Sequence, residues 1–141
     1  MKKKLFLLLG FVILLAIGIS SCLADTPKIN ITAFATLTAE DAINKNLNPC
    51  TTFPKGSGIG AAITIETFDY PAIRYVVAFK QGERVLSSGD YTFSKEYSSQ
   101  TIFIWDWPLN YEPGRYTMEV YVVDTYGNVS NIKKQLFTIT E

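Results

Sequence analysis

The sequence contains no histidine. Histidine is the side chain most often used as a metal ligand and as a proton donor or acceptor near neutral pH. Its absence weighs against most zinc and copper sites and against catalytic arrangements that use histidine as a base. No other pairing of a nucleophile with a base is apparent in the sequence. We therefore expect a protein that is not an enzyme and that carries no cofactor.

An excess of basic charge is also missing, because 13 lysine and arginine residues face 13 aspartate and glutamate residues. Three of the lysines, Lys2, Lys3 and Lys4, lie in an N-terminal segment that we expect to be removed, which leaves 10 basic residues and a net charge near −3. A nucleic-acid-binding domain needs a basic face. The charge balance therefore predicts no nucleic-acid partner.

The N-terminal segment has the pattern of an export signal. The three lysines precede an apolar run from Leu5 to Ile19. As a helix this run would span roughly 22 Å, which is short of the ~30 Å hydrocarbon core of a bilayer. A charged start, a short apolar middle and small residues at the exit are typical of a secretory signal peptide. An uncleaved transmembrane anchor is the alternative.

The exit of the apolar run reads Ile-Ser-Ser-Cys, from Ile19 to Cys22. It resembles the lipobox of bacterial lipoproteins, although that family usually has leucine at the first position. The resemblance implies a signal peptide over residues 1–21, lipidation (including palmitate) at Cys22, and an exported protein anchored to the cell membrane or the outer membrane. Residues 22–28 would then be a short lipidated tether of about 20 Å at most. Ordinary cleavage after Ala24 is the alternative.

Cysteine is scarce, since Cys22 and Cys50 are the only two. If Cys22 is lipidated, Cys50 is left alone, and a lone cysteine is most often a small buried apolar residue. If Cys22 is not lipidated, a disulfide between Cys22 and Cys50 could form in an oxidising compartment.

Residues 29–141 carry the alternation of apolar and polar residues that is typical of half-buried strands. One weak helix is predicted over Ala39 to Asn46, with Thr38 and Asp41 as its capping residues. A polar and aromatic stretch over 88–100 is predicted to be a loop or a ragged edge strand. The spacing of turns favours a single antiparallel β-sandwich of about seven strands. The expected strands are 29–37, 59–67, 73–80, 84–87, 101–107, 116–124 and 132–140.

The last strand contains an interruption of this pattern. Phe137 and Ile139 share one phase of the alternation, whereas Ile132 and Leu136 share the other. Either a β-bulge near Lys133 brings both sets to the core, or Ile132 faces solvent.

The segment "LNYEPGRY", from Leu109 to Tyr116, is followed by an alternating strand and then by "DTYGN". It resembles the E–F corner and F–G hairpin of immunoglobulin-like and fibronectin-type-III-like domains of bacterial surface proteins. The resemblance implies an immunoglobulin-like sandwich over 29–141. Tyr116 would place its ring in the core while its hydroxyl bonds to backbone upstream, as in a tyrosine corner.

Asp124 ends the strand that precedes this hairpin turn. Its carboxylate is suited to accept backbone N–H groups of the turn, and Gly127 supplies a positive φ. The alternative makes Asp124 and Asn128 calcium ligands together with Asp69. Calcium prefers six to eight oxygen ligands, so these three residues are few.

Aromatic residues are concentrated in segments that the sandwich order places at one end of the domain, the end at which the first strand begins. We expect these segments to form binding loops for another envelope protein or a glycan. The candidate loop residues are Phe68, Asp69, Tyr70, Tyr91, Phe93 and Tyr126.

The tryptophans Trp105 and Trp107 are expected on one face of their strand, as core residues or as a platform for a sugar. Two sequons, at Asn30 and Asn128, matter only in a host that glycosylates exported asparagines.

The sequence therefore predicts a membrane-anchored immunoglobulin-like domain that acts as a non-catalytic binding or interaction module at the cell envelope. Two alternatives stay open. One is a structural accessory lipoprotein subunit of an envelope complex, and the other is a carbohydrate-binding module that uses the loop aromatics.

Overall fold

The computed structural model describes residues 28–141. The predicted signal peptide, the lipidation at Cys22 and most of the tether lie outside the described residues and stay predictions. Within residues 28–141, no helix has the length and apolar character needed to cross a bilayer.

The described part of the chain is built almost entirely of strands. One helix, α1, spans Ala39–Ile43. The strands are β1 (Ile29–Thr38), β2 (Thr52–Pro54), β3 (Gly58–Thr67), β4 (Ala72–Gln81), β5 (Arg84–Tyr97), β6 (Gln100–Pro108), β7 (Gly114–Asp124) and β8 (Lys133–Thr140).

The strands form two sheets that face each other. The smaller sheet has the order β1-β3-β6, and the larger sheet has the order β2-β8-β7-β4-β5. All neighbours pair antiparallel except β2 and β8, which run parallel. This is an immunoglobulin-like strand order, so the prediction of an all-β sandwich is confirmed. The structure has eight strands, whereas about seven were predicted. The additional one is the short β2, a three-residue edge strand in a proline-containing connection.

The core lies between the sheets and follows the predicted alternation. In β3, Ile59, Ile63 and Ile65 are fully or almost fully buried, and in β7 Met118 and Val120 face them from the other sheet. Burying an isoleucine side chain contributes roughly 1.5–3 kcal/mol. The repeated placement of such residues on one face of each strand therefore accounts for the register of both sheets.

Helix α1 covers the outer face of the smaller sheet. The Thr38 hydroxyl accepts the backbone N–H of Asp41 at 3.1 Å, as the capping pattern predicted. Ala42 packs over Gly60, where a Cβ atom would lie only 2.5 Å from that of Ala42. Glycine is therefore required where the helix meets the sheet. The helix ends at Ile43, earlier than predicted, and Lys45 has a positive φ of 58°.

The predicted tyrosine corner is present. Tyr116 is buried, and its hydroxyl donates a hydrogen bond to the carbonyl oxygen of Glu112 at 2.5 Å. Its ring stacks on Phe137 of the neighbouring strand β8. The corner therefore joins the turn before β7 to the core.

The stretch over 88–100, for which a loop and a ragged edge strand were both expected, lies mainly in an edge strand. Strand β5 runs for 14 residues and pairs with β4 from Ala72, opposite Tyr97, to Gln81, opposite Arg84. Its serine, threonine and charged residues are tolerated because β5 is the edge of its sheet. The edge-strand alternative is therefore the correct one, and the strand expected over 84–87 is longer than predicted.

The bulge that was one of the two alternatives for the last strand is absent. The pairing of β7 with β8 is continuous from Gly114–Ile139 to Val120–Lys133. Ile132 and Leu136 are both exposed, so the alternative in which Ile132 faces solvent is the correct one.

A bulge occurs instead in β6. Ile59 pairs with Trp107 and Ala61 pairs with Ile104, so β6 holds one extra residue at this point. Asp106 has a φ of 98°, which places it in a backbone conformation that is uncommon for residues other than glycine. The extra residue reverses the alternation, so Trp105 is exposed while Trp107 packs against the core. The prediction that both indoles share one face is therefore wrong.

Candidate functional site

Two exposed aromatic surfaces stand out on the domain. The first, which we call the loop-end patch, consists of Phe68, Tyr70 and Tyr126. Phe68 and Tyr70 lie in the β3–β4 loop and Tyr126 lies in the turn after β7. These two segments meet at one end of the domain, as the sequence predicted. Their exposed fractions are 54%, 40% and 74%. The rings of Tyr70 and Tyr126 stack with centroids 5.0 Å apart and planes at 12°.

The turn that carries Tyr126 is held by Asp124, whose side chain is almost fully buried. Its Oδ1 atom accepts the backbone N–H groups of Tyr126 at 2.9 Å and Asn128 at 2.8 Å. Its Oδ2 atom accepts the side-chain amide of Asn128 at 2.7 Å. Gly127 takes the predicted positive φ, at 95°. Asp124 therefore has the turn-forming role that the sequence favoured.

The calcium alternative finds no support in this geometry. Asp69 pairs with Lys28 at 3.3 Å, and the oxygens of Asp124 already serve the turn. Across the described residues, 28–141, no three acidic or cysteine side chains are grouped so that they could hold a metal ion.

The chain enters the domain beside the loop-end patch. The backbone N–H of Phe68 donates to the carbonyl oxygen of Lys28 at 3.1 Å, and Ile29 pairs with Thr67 at the end of β3. The backbone N–H of Thr125 donates to the carbonyl oxygen of Pro71 at 2.9 Å, which ties the turn to the loop. The loop, the turn and the chain entry are thus joined to one another.

Two residues predicted for this end lie elsewhere. Phe93 sits in β5 and is buried in the core, where its ring packs against Tyr75 and Tyr97. Tyr91, also in β5, lies on the same inward face farther from the loop end. Phe93 is therefore a core residue, and Tyr91 belongs to a different surface. They were predicted as binding-loop residues at this end because the sequence analysis did not extend the strand beyond 84–87.

That second surface, which we call the lateral cavity, opens between β5 and β6, the edge strands of the two sheets. It has a volume of about 200 Å³. Its walls are mainly aromatic and aliphatic, and its polar lining comes from serine and tyrosine hydroxyls. The lining residues are Val77, Phe79, Ser87, Ser88, Gly89, Tyr91, Trp107, Pro108, Leu109 and Tyr111.

Hydrogen bonds between the lining residues fix the shape of the cavity. The Trp107 indole N–H donates to the Tyr91 hydroxyl at 3.0 Å. The hydroxyls of Ser87 and Tyr111 share a hydrogen bond of 2.5 Å. In each pair one hydroxyl proton is not used by that bond, so each pair can donate to a guest.

The cavity presents a neutral surface. None of its lining residues is an acid, a lysine or an arginine. Behind it, Tyr75 stacks on Tyr91 at 5.1 Å, and burial together with the Tyr91 hydroxyl raises the pKa of Tyr75 above 10.0. The Tyr75 phenol therefore stays uncharged at physiological pH.

Glycine at position 89 makes room for the Tyr91 side chain. A Cβ atom on Gly89 would lie 2.3 Å from the hydroxyl oxygen of Tyr91 and 2.5 Å from its ring. The ring thus folds over the glycine backbone, an arrangement known to protect glycines in sheets. A glycine inside a strand pattern is a signal for such a close approach. The sequence analysis missed it because it left the segment around Gly89 as either a loop or a ragged edge strand.

Cys50 is partly buried and packs against the core. Its thiol lies 3.1 Å from the carbonyl oxygen of Thr52, and it has no disulfide partner among residues 28–141.

Comparison with known proteins shows the fold and no family. No protein-family model matches the chain, and no curated protein matches it by sequence. The chain is similar to the crystal structure of the C-terminal domain of Wzt, with a TM-score of 0.62 and 8% identity over 82% of this chain and 75% of that one. The soluble domain of PmoD from Methylocystis sp. ATCC 49242 (Rockwell) aligns at a TM-score of 0.44 and 16% identity, over 79% of this chain and 90% of that one. The likeness to the Wzt domain supports the sandwich fold.

Proposed function

We propose that the protein is a lipid-anchored, non-catalytic binding module of the cell envelope, and that the lateral cavity is its binding site. The observation that carries the proposal is a neutral, aromatic-walled cavity that lies between two unpaired strand edges. Concave apolar sites with a few fixed polar groups are the usual form of a binding site.

A binding role fits the cavity better than a catalytic one. Acid–base catalysis needs a titratable group near the reacting atoms, with a pKa matched to its task. The cavity walls offer only tyrosine phenols, and the shifted carboxyl pKa among residues 28–141 belongs to Glu119, in a surface ion pair with Lys134. The cavity is therefore equipped to hold a guest and not to convert it.

The strand edges favour a protein segment as the guest. Strand β5 has a partner on one side only, and its other edge adjoins the mouth of the cavity. A segment that adds to this edge as a further strand would gain main-chain hydrogen bonds, and its alternate side chains would point toward the cavity. An aliphatic or aromatic side chain would pack against Trp107 and Phe79.

The anchoring part of the proposal depends on the Ile-Ser-Ser-Cys motif and on the direction of the chain. Lys28 lies six residues after Cys22 and enters the domain at the loop end. The cavity residues Ser87 and Trp107 lie toward the other ends of their strands, since β5 ends and β6 begins at the loop end. A lipid at Cys22 would thus leave the cavity open to the aqueous side.

The test is recovery of partners from detergent extracts by the full-length chain. Ser87→Trp introduces an indole into the cavity mouth, and Ser94→Trp introduces the same indole at an exposed position of the same strand. We expect a partner that is retained by the parent and by Ser94→Trp and lost with Ser87→Trp. A partner retained equally by all three chains would contradict the assignment of the cavity and would favour a structural accessory role. Cys22→Ala should move the protein into the soluble fraction, and unchanged membrane association would refute lipidation.

A glycan is the second candidate guest, and the two donor hydroxyl pairs beside Trp107 favour it. Aromatic faces bind the apolar faces of sugar rings, while hydroxyl groups select their orientation. Binding of isolated envelope polysaccharide that changes tryptophan emission in the parent, and not in Ser87→Trp, would support this candidate over a protein segment.

A further inference from the structure

We propose that the loop-end patch is a membrane seat: Phe68, Tyr70 and Tyr126 rest in the interfacial region of the lipid bilayer and hold the domain against it. This inference rests on the anchoring at Cys22 in the proposed function. It adds a second, non-covalent attachment and thereby an orientation of the domain.

The first argument is the position of the chain entry. Lys28 is bonded to the β3–β4 loop through the backbone of Phe68 and through the carboxylate of Asp69. The tether therefore joins the domain directly beside the patch. A lipid on the tether would draw this end, and not another, toward the bilayer.

The second argument is length. Lys28 lies six residues after Cys22. Even when fully extended this segment reaches only about 20 Å. No folded partner domain fits easily into such a gap between the patch and the lipid surface. The bilayer interface is then the surface that the patch meets at the highest effective concentration.

The third argument is the chemistry of the patch. Tyrosine is enriched at membrane interfaces because one end of its side chain is apolar and the other is polar. Asp69 is the only charged residue in the segments 68–71 and 125–127, and its ion pair with Lys28 offsets its charge. Burial of the patch in the interface would thus carry little cost from unpaired charge.

The fourth argument is that exposed apolar side chains are grouped at the loop end of the domain. Val129 and Ile132, in the connection after the Tyr126 turn, are also exposed. Together with the patch they make up five of the eleven large hydrophobic residues that are exposed in residues 28–141. Contiguous exposed apolar side chains mark an interaction surface, and the stacked rings of Tyr70 and Tyr126 are contiguous.

The fifth argument is rigidity. Asp124 fixes the backbone of the turn, and the Thr125–Pro71 hydrogen bond ties the turn to the loop. Tyr126 is thus held outward by a buried carboxylate. Aromatic side chains presented by a preorganised backbone lose little entropy when they insert.

The experiment uses the full-length, lipidated chain in vesicles of phosphatidylcholine and phosphatidylglycerol that contain no other protein. Phe68→Trp places a fluorophore in the patch, and Leu136→Trp places one at an exposed apolar position of β8 outside the loop end. Emission is compared with that of the parent, which contains Trp105 and Trp107. We expect an added emission in Phe68→Trp that is blue-shifted and quenched by brominated lipids, and an added emission in Leu136→Trp that is not.

Further variants test whether the whole patch acts together. Replacing Tyr70 and Tyr126 by serine in the Phe68→Trp chain should reduce the lipid quenching. The quenching should change little with the fraction of anionic lipid, because the patch carries no basic cluster. Quenching that depends strongly on anionic lipid would contradict a membrane seat formed by aromatic side chains.

Flotation of the vesicles separates the two proposals. A chain that does not float refutes the anchoring and the seat with it. A chain that floats while Phe68→Trp is quenched no more than Leu136→Trp refutes the seat alone. If the indole introduced by Phe68→Trp is then shielded from aqueous quenchers only in native envelope membranes, the patch binds a protein partner, and the lipid assignment is wrong.

Discussion

Replacing Asp124 by asparagine should destabilise the domain through its last hairpin turn. In the parent, one carboxylate oxygen accepts two backbone N–H groups and the other accepts the Asn128 amide. Asparagine retains one acceptor oxygen, but its amide group would face the amide donor of Asn128. One hydrogen bond is then lost, and the others lose the assistance of the charge. We expect a loss of about 2–3 kcal/mol in the free energy of unfolding.

Urea unfolding followed by fluorescence measures this difference, with an unchanged m-value as the check that the unfolding transition is comparable. For a domain of this size the melting temperature should fall by roughly 8–12 °C. Asn128→Ala is the matched control, because it removes only the side-chain donor and leaves both backbone bonds to Asp124. Its cost should be smaller, at about 1 kcal/mol.

Two results would refute this reasoning. A loss below about 0.5 kcal/mol for Asp124→Asn would fall within the range of ordinary surface substitutions and would show that the turn does not depend on the carboxylate. A calcium-dependent rise in the stability of the parent, abolished in Asp124→Asn, would show that Asp124 is a metal ligand.

Three further substitutions test the corner, the bulge and a surface ion pair. Tyr116→Phe should lower the free energy of unfolding by about 1 kcal/mol, since the Glu112 carbonyl loses its donor, and an undiminished urea midpoint would argue against the corner. Asp106→Gly should raise stability by about 1 kcal/mol, because glycine adopts the positive φ without strain, and a loss of stability in thermal melts would contradict this. The Lys134 ammonium holds the pKa of Glu119 below 4.5, so the stability that Glu119 contributes is present above that pH and is lost as pH falls through the lowered pKa. The stability difference between the parent and Glu119→Gln should therefore shrink in acid, and a difference that is constant between neutral pH and pH ~3 would disprove the linkage.

The sequence predicted those features that depend on local signals. Alternation identified the buried faces of β3 and β7 because strand side chains point to opposite faces in turn. Tyr116 and Asp124 were assigned correctly because the corner and the turn are each encoded within a few neighbouring residues. The loop-end patch followed from the strand order, and the structure brings Phe68, Tyr70 and Tyr126 to the same end.

The lateral cavity could not be predicted because it depends on how two distant strands meet. Alternation gives a residue's face only while the register is regular, and the extra residue at Asp106 inverts the faces of Trp105 and Trp107. Likewise, the polar composition of β5 left a loop and a ragged edge strand both open, so the inward face that carries Tyr91 and Phe93 was not identified. Edge strands carry charged and polar residues to discourage aggregation, and this makes them resemble loops in a sequence.

The β6 bulge links the strained backbone to the cavity. A residue other than glycine at a positive φ costs on the order of 1 kcal/mol or more, and it persists where the surroundings hold it. Here the surroundings are the Trp107 side chain, which packs against Phe79 and Tyr75 and donates to Tyr91. Without the extra residue, regular alternation would direct the Trp107 indole away from the core and remove one wall of the cavity. The conformation of Asp106 is therefore best explained by the position of the indole, because the sheet pairing alone would be satisfied by a regular strand.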